Sequence, residues 1–180
     1  MGTIKLKKGS FRLPYFLFLF FVFLATGCIS DDEPQGEALG VGDYLPEFSV
    51  VMNDGTSIYT ASLIGKVSMI VFFNTGCPDC RKELPEVQLV WEYYKEDPGV
   101  VILPIAREES ESEILDYWES HDLNMPFSPQ ENRDVYSLFA PSIIPRIYIS
   151  DLSGKIVFSS TDVNMPTAET LISEIESARQ

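Results

Sequence analysis

The chain has 180 residues, 45% hydrophobic and 22% charged, a balance that suits one ordinary globular domain with an N-terminal extra. Its 13 basic and 27 acidic residues leave a net charge of −14. Such a surface repels nucleic acid and anionic headgroups, and no basic groove is visible in the sequence.

The first 27 residues stand apart. Lys5, Lys7, Lys8 and Arg12 form a basic start, Leu13 to Leu24 is almost wholly apolar with five phenylalanines, and Ala25-Thr26-Gly27 lead to Cys28. This is the layout of a secretory signal peptide. Gly27-Cys28 resembles a bacterial lipobox, which makes Cys28 the expected lipidation site, although Ala25 stands where such boxes carry Leu. An uncleaved anchor is the rival reading, but the apolar run is well short of the roughly 20 residues of a spanning helix. Without this leader, nine basic residues face 27 acidic ones, a net charge of −18. Residues 28–40 are acidic and lack apolar periodicity, as in a flexible tether. Ser30-Asp31-Asp32-Glu33 is similar to the acidic tag that sends some lipoproteins to the cell surface, or is an ordinary charged linker.

The folded domain is expected over 41–180. Leu45 to Val51 has strand character, Asn53-Asp54-Gly55-Thr56 signals a turn, and Ser57-Ile58-Tyr59 follows as a second strand. Val67 to Phe73 is a mostly apolar run, the mark of a strand buried on both faces. Cys77 to about Tyr94 reads as a helix with Leu84, Val87, Val90, Trp91 and Tyr94 on one side, and Pro85 should kink it. Val100 to Ile105 is a second buried strand. Ser110 and Glu113 fit a capping box, opening a helix with Ile114, Leu115 and Trp118 inward and ending near His121. Glu131 to Phe139 is a shorter helix. Ile144 to Ile149 and Lys155 to Ser160 form a hairpin about Asp151-Leu152-Ser153-Gly154. Thr167 to Ala178 closes the chain as a helix with Leu171, Ile172 and Ile175 on one face.

The chemistry concentrates at Cys77-Pro78-Asp79-Cys80, a dithiol at a strand-to-helix junction. Free N–H groups at a helix start favour anions, and the thiolate is the reactive form of cysteine. If Cys28 carries lipid, these two cysteines have only each other. A structural disulfide closing so short a loop gains little stability. Zinc usually needs four nitrogen or sulfur ligands, and the remaining chain has one His and no further Cys, so no metal is expected. A redox function explains the pair better.

Several segments together carry a family resemblance. Val41-Gly42-Asp43-Tyr44-Leu45-Pro46-Glu47-Phe48, Leu63-Ile64-Gly65-Lys66-Val67, Phe72 to Pro85, and Ile144-Pro145-Arg146 with Gly154-Lys155-Ile156 make the chain resemble thioredoxin-fold thiol–disulfide oxidoreductases of the TlpA/ResA type. The resemblance implies an α/β thioredoxin fold: a central mixed sheet flanked by helices, with an N-terminal β-hairpin extension and a helical insertion after the βαβ unit. It implies that Cys77 is the nucleophile, Cys80 the resolving thiol, and Pro145 a cis-proline beside which the Ile144 backbone pairs with a bound peptide. Gly76 and Pro78 would border that substrate surface. Glu83, one turn beyond Cys80, would relay the proton that Cys80 loses. Gly76 departs from the family, which usually has Trp there. Asp79 places a carboxylate near Cys77, disfavours the thiolate, and so predicts a more reducing couple.

No cofactor is expected beyond the Cys77–Cys80 redox pair. The expected partners are protein or small disulfides, an unidentified electron donor, and the membrane through lipidated Cys28, with no nucleic acid. The expected location is the bacterial cell envelope, periplasm-facing or on the outer surface. Two other functions compete. A thiol peroxidase would carry Thr three residues before its cysteine, where Asn74 stands, and Pro where Ile70 stands. A binding module with a vestigial site sits poorly with the intact Cys77, Cys80, Glu83 and Pro145. His121 reads as a helix-end residue, Trp91 and Trp118 as core or near-core, and Arg146 as either surface packing or a substrate contact.

Overall fold

A computed structural model describes residues 1–3 and 36–180. Cys28, the leader and most of the tether lie outside the described residues. The folded unit opens with a hairpin of β1 (Ser49–Val51) and β2 (Ser57–Tyr59), with Val50 opposite Ile58. A one-turn helix, α1 (Thr60–Leu63), leads into β3 (Val67–Phe73). Helix α2 (Pro78–Tyr94) and strand β4 (Val100–Ala106) complete a βαβ unit. Two helices follow, α3 (Glu111–Ser120) and α4 (Asp134–Ser137). Strands β5 (Arg146–Ser150) and β6 (Ile156–Thr161) and helix α5 (Ala168–Ala178) end the chain. The main sheet has the order β4-β3-β5-β6, with β3 parallel to β4 and antiparallel to β5. This is the mixed sheet, hairpin extension and helical insertion expected from the sequence.

Every residue of β3 is buried, which explains its unbroken apolar character. Side chains alternate across a strand, so the run feeds two cores. Val67, Met69, Val71 and Phe73 meet Leu84, Val87 and Val90 of α2 and Leu171 and Ile175 of α5. Ile70 and Phe72 face the other side, with Leu103, Tyr136, Phe139, Tyr148 and the hairpin residues Phe48 and Val50. Ser68 shares a buried 2.6 Å hydrogen bond with Ser150 Oγ across the strand pair.

Three expectations need correction. Leu45 to Phe48 is not strand: Leu45 donates to the Gly154 carbonyl at 2.9 Å, but Pro46 has no N–H with which to continue a ladder. The helix expected over 131–139 shrinks to α4, because Asn132 Oδ1 takes the Asp134 N–H at 3.0 Å and sets up a turn first. Leu115 is 45% exposed, because α3 turns Ile114 and Trp118 inward and leaves Leu115 on its outer side. Helix α1 has four residues, too few for periodicity to reveal. Helix α2 runs unbroken through Pro85, which lies on its exposed face.

The second core centres on Phe72, whose ring lies 4.9 Å from that of Phe139 and 5.2 Å from that of Tyr136. Phe72→Ala is expected to lower the unfolding free energy by about 3–5 kcal/mol in urea titrations. A loss below about 1 kcal/mol would show that this face of the sheet does not depend on the ring cluster.

Candidate active site

The apolar β3 delivers the chain to Asn74-Thr75-Gly76, and Cys77 caps α2. Its backbone is extended (φ −82°, ψ 121°), and Pro78 takes the first helical position, where a missing N–H costs nothing. Cys77 Sγ accepts a hydrogen bond from the Cys80 N–H at 3.4 Å. Both cysteines are free thiols, Cys77 half-buried and Cys80 buried. Burial pushes the Cys80 thiol far above its ordinary range; the hydrogen bond with Cys77 adds to this, and the Asn74 backbone and Arg107 cation oppose it. Cys80 is therefore held as the neutral thiol.

The loop before β5 faces the dithiol. The Ile144–Pro145 bond is cis, and Cys77 Sγ lies 3.7 Å from the Ile144 carbonyl oxygen. Three side chains hold the preceding carbonyls. Arg133 donates to Pro141 at 2.6 Å, Arg146 to Ser142 at 3.2 Å, and the Tyr136 hydroxyl to Ile143 at 2.7 Å. The last contact supports a strained residue, because Ile143 is β-branched yet has φ +75°. Arg146 is buried and also reaches the Tyr148 hydroxyl at 3.4 Å, so its guanidinium packs inward.

A carboxylate missed in the sequence secures the other side. Glu109 is buried, accepts from the Thr75 N–H at 2.8 Å, and also takes the Thr75 hydroxyl. The Thr75 carbonyl accepts from Arg81 Nε. Asn74 donates to the Arg107 carbonyl at 3.1 Å and accepts from the Gly76 N–H at 2.8 Å. A Cβ on Gly76 would fall 2.9 Å from Asn74 Oδ1, so a larger residue there requires the Asn74 side chain to move. In the sequence, Arg107-Glu108-Glu109 looks like a run of surface charge; only the pairing of Glu109 with Gln130 turns it inward.

Glu83 is 2% exposed, and its Oε1 has no hydrogen-bond partner among the described residues. Burial, with a smaller effect from Glu86, raises its pKa to about 7. Asp79 turns outward to Lys82 Nζ at 2.7 Å, which offsets its charge. Gly76 and Pro78 are exposed beside Cys77. The structure thus brings Cys77, Cys80, Ile144 and Pro145 together, with Glu83 one turn further along α2. His121 ends α3, stacked on Tyr117 at 3.8 Å. Trp118 is buried and Trp91 half-buried. Among the described residues, no group of three or more His, Cys, Asp or Glu is placed to hold a metal ion, and no helix is long and apolar enough to cross a membrane.

Residues 41–159 match the AhpC/TSA family. The chain belongs to that family. It is 27% identical over 121 residues to thiol-disulfide oxidoreductase ResA of Bacillus cereus (strain ZK / E33L), which spans 67% of this chain and 69% of the relative. ResA of Oceanobacillus iheyensis is 26% identical over 161 residues, 86% of this chain and 83% of the relative. Among solved structures, a protein from Bacteroides thetaiotaomicron assigned as a protein disulfide isomerase superposes with a TM-score of 0.72 at 26% identity, covering 79% of this chain and 94% of that one. A thiol:disulfide interchange protein from Chlorobium tepidum shares the fold at a TM-score of 0.65 and 24% identity, covering 78% and 99%. The chain is a TlpA/ResA-like thiol–disulfide oxidoreductase of thioredoxin fold.

Glu83 has a folded pKa near 7 against an ordinary 4.5, so the folded state keeps its proton longer. Its contribution to stability is whole below pH 4.5 and is lost as pH rises through about 7. Relative to Glu83→Gln, the native chain is expected to lose up to about 3 kcal/mol of unfolding free energy across that interval. Urea titrations of both proteins at several pH values check this, and a pH-independent difference would contradict it.

Proposed function

We propose that this protein reduces protein disulfides outside the cytoplasm while tethered to a membrane by lipid on Cys28. The observation that carries the catalytic part is the Cys77 sulfur facing the Ile144 carbonyl beside cis-Pro145, with the buried Cys80 thiol one turn behind it. Cys77 attacks a substrate disulfide as the thiolate; an S–S bond to the substrate forms and the other substrate sulfur leaves. Cys80 gives its proton to Glu83 and attacks Cys77 Sγ. The Cys77–Cys80 disulfide forms, and the second substrate sulfur leaves with the electron pair of the broken bond. Two electrons have moved from the dithiol to the substrate, and the two thiol protons end on its sulfurs by way of Glu83 and water. Ile144 offers its backbone to the substrate strand, with Pro145, Gly76 and Pro78 around it. No cofactor enters this cycle, and an electron donor of the envelope restores the dithiol. The signal-like leader, Cys28 and the acidic tether support the envelope location, facing the periplasm or the cell surface.

Insulin reduction by the purified protein tests the activity. Cys77→Ser is expected to abolish it, and Cys80→Ser to accumulate mixed disulfides with envelope proteins. Peroxide consumption outpacing insulin reduction would favour a thiol peroxidase, and inactivity in both assays a binding module.

Asp79 is the proposed tuning residue. Its carboxylate disfavours the Cys77 thiolate and so the reduced form, while Lys82 moderates it. A potential nearer to about −270 mV than to about −120 mV is expected in a glutathione titration, rising in Asp79→Asn and falling in Lys82→Met. A value above about −180 mV would be incompatible with this tuning.

A further inference from the structure

We propose that Glu86 is a positioning residue for proton transfer at the dithiol: fixed on the N-terminus of α5, it keeps a negative charge beside Glu83, the base for Cys80. This rests on the reading of Glu83 as the base for Cys80.

Glu86 follows Glu83 by three positions, so the two carboxyl groups share a face of α2. Glu86 Oε2 accepts from the N–H of Ala168, the first residue of α5, at 2.7 Å. That N–H is one of the donors a helix start leaves unpaired, and the helix dipole there favours an ionised partner. Thr167 caps the same helix by accepting from the Thr170 N–H at 3.3 Å. Glu86 is therefore held at the positive end of α5.

Among the described residues, no cation offsets this. Lys82 turns out to Asp79, and Arg81 is engaged with the Thr75 carbonyl. Arg107, after β4, bears on Cys80. Arg146, on β5, is directed to Ser142 and Tyr148. The first turn of α5 adds only Glu169, which is acidic and exposed. With Glu83 buried and its Oε1 unpartnered, the charge of Glu86 is the remaining electrostatic influence among the described residues.

The chemical consequence falls on resolution of the mixed disulfide. Cys80 must pass a proton to Glu83 as its sulfur bonds to Cys77 and the substrate sulfur leaves. Proton transfer improves as the base strengthens toward the working pH. Burial supplies most of that strength, and Glu86 adds a smaller part.

The test titrates the full chain in detergent, labelled with 13C-glutamate, with the Glu83 signal identified by its loss in Glu83→Gln. The native midpoint is expected near pH 7. Glu86→Gln keeps an oxygen for the Ala168 N–H but removes the charge. Its midpoint should fall by about half a pH unit or more, and the acid limb of mixed-disulfide resolution, read in single turnovers with a disulfide peptide, should fall with it. Glu86→Asp keeps the charge and should keep most of the native midpoint. An unmoved midpoint in Glu86→Gln, or an equal displacement in both variants, overturns the proposal. The midpoint is read without substrate. A midpoint that moves while the resolution limb stays fixed would instead overturn Glu83 as the base, and with it the catalytic part of the Glu86 role.

Discussion

The burial of Cys80 in the first turn of α2 is the constraint from which the remaining features of the site follow. A sulfur in that position is cut off from solvent, and burial disfavours negative charge on it. In the proposed cycle its proton is removed at the moment of reaction by something equally buried. Glu83 lies one turn further along the same helix, itself cut off from water. The half-buried Cys77, by contrast, sits where α2 leaves N–H groups free to meet an anion. One helix start thus holds one half-buried and one fully buried thiol.

That helix start is held from three directions. Below, β3 packs through both faces, so the segment leaving its end has little freedom. On one side, Glu109 fixes Thr75 through two contacts, and a carboxylate buried against a backbone N–H and a hydroxyl is costly to leave unpaired. On the other, the cis-proline loop stands within reach of the Cys77 sulfur. The hairpin β1–β2 and helix α4 take part at a distance, by closing the second core over Phe72 and so fixing Tyr136 under the loop.

Features written in neighbouring residues were legible in the sequence. The unbroken apolar run of β3, the two-residue spacing of the cysteines and the capping box at Ser110 are local signals, and each sits where the sequence places it. Features created by tertiary contact were not. Glu109 and Glu86 carry no local mark, since each acquires meaning from a partner far along the chain, 34 residues away for Thr75 and 82 for Ala168. Leu115 misleads because its spacing fits an apolar face that α3, lying against the sheet through Ile114 and Trp118, does not bury. Pro46 defeats the strand pattern around it by withholding one donor.

The loop from Pro141 to Pro145 has each of its first four carbonyls met by a side chain from elsewhere in the fold. Such a surface is ordered before anything binds, so the entropy lost on association falls almost wholly on the incoming chain. An extended, locally unfolded segment can adapt to a fixed template, whereas a rigid folded surface must match it from the outset. For the substrate strand proposed above, such a template would favour disulfides in loosely structured stretches, a bias that arises from stiffness and not from any single contact.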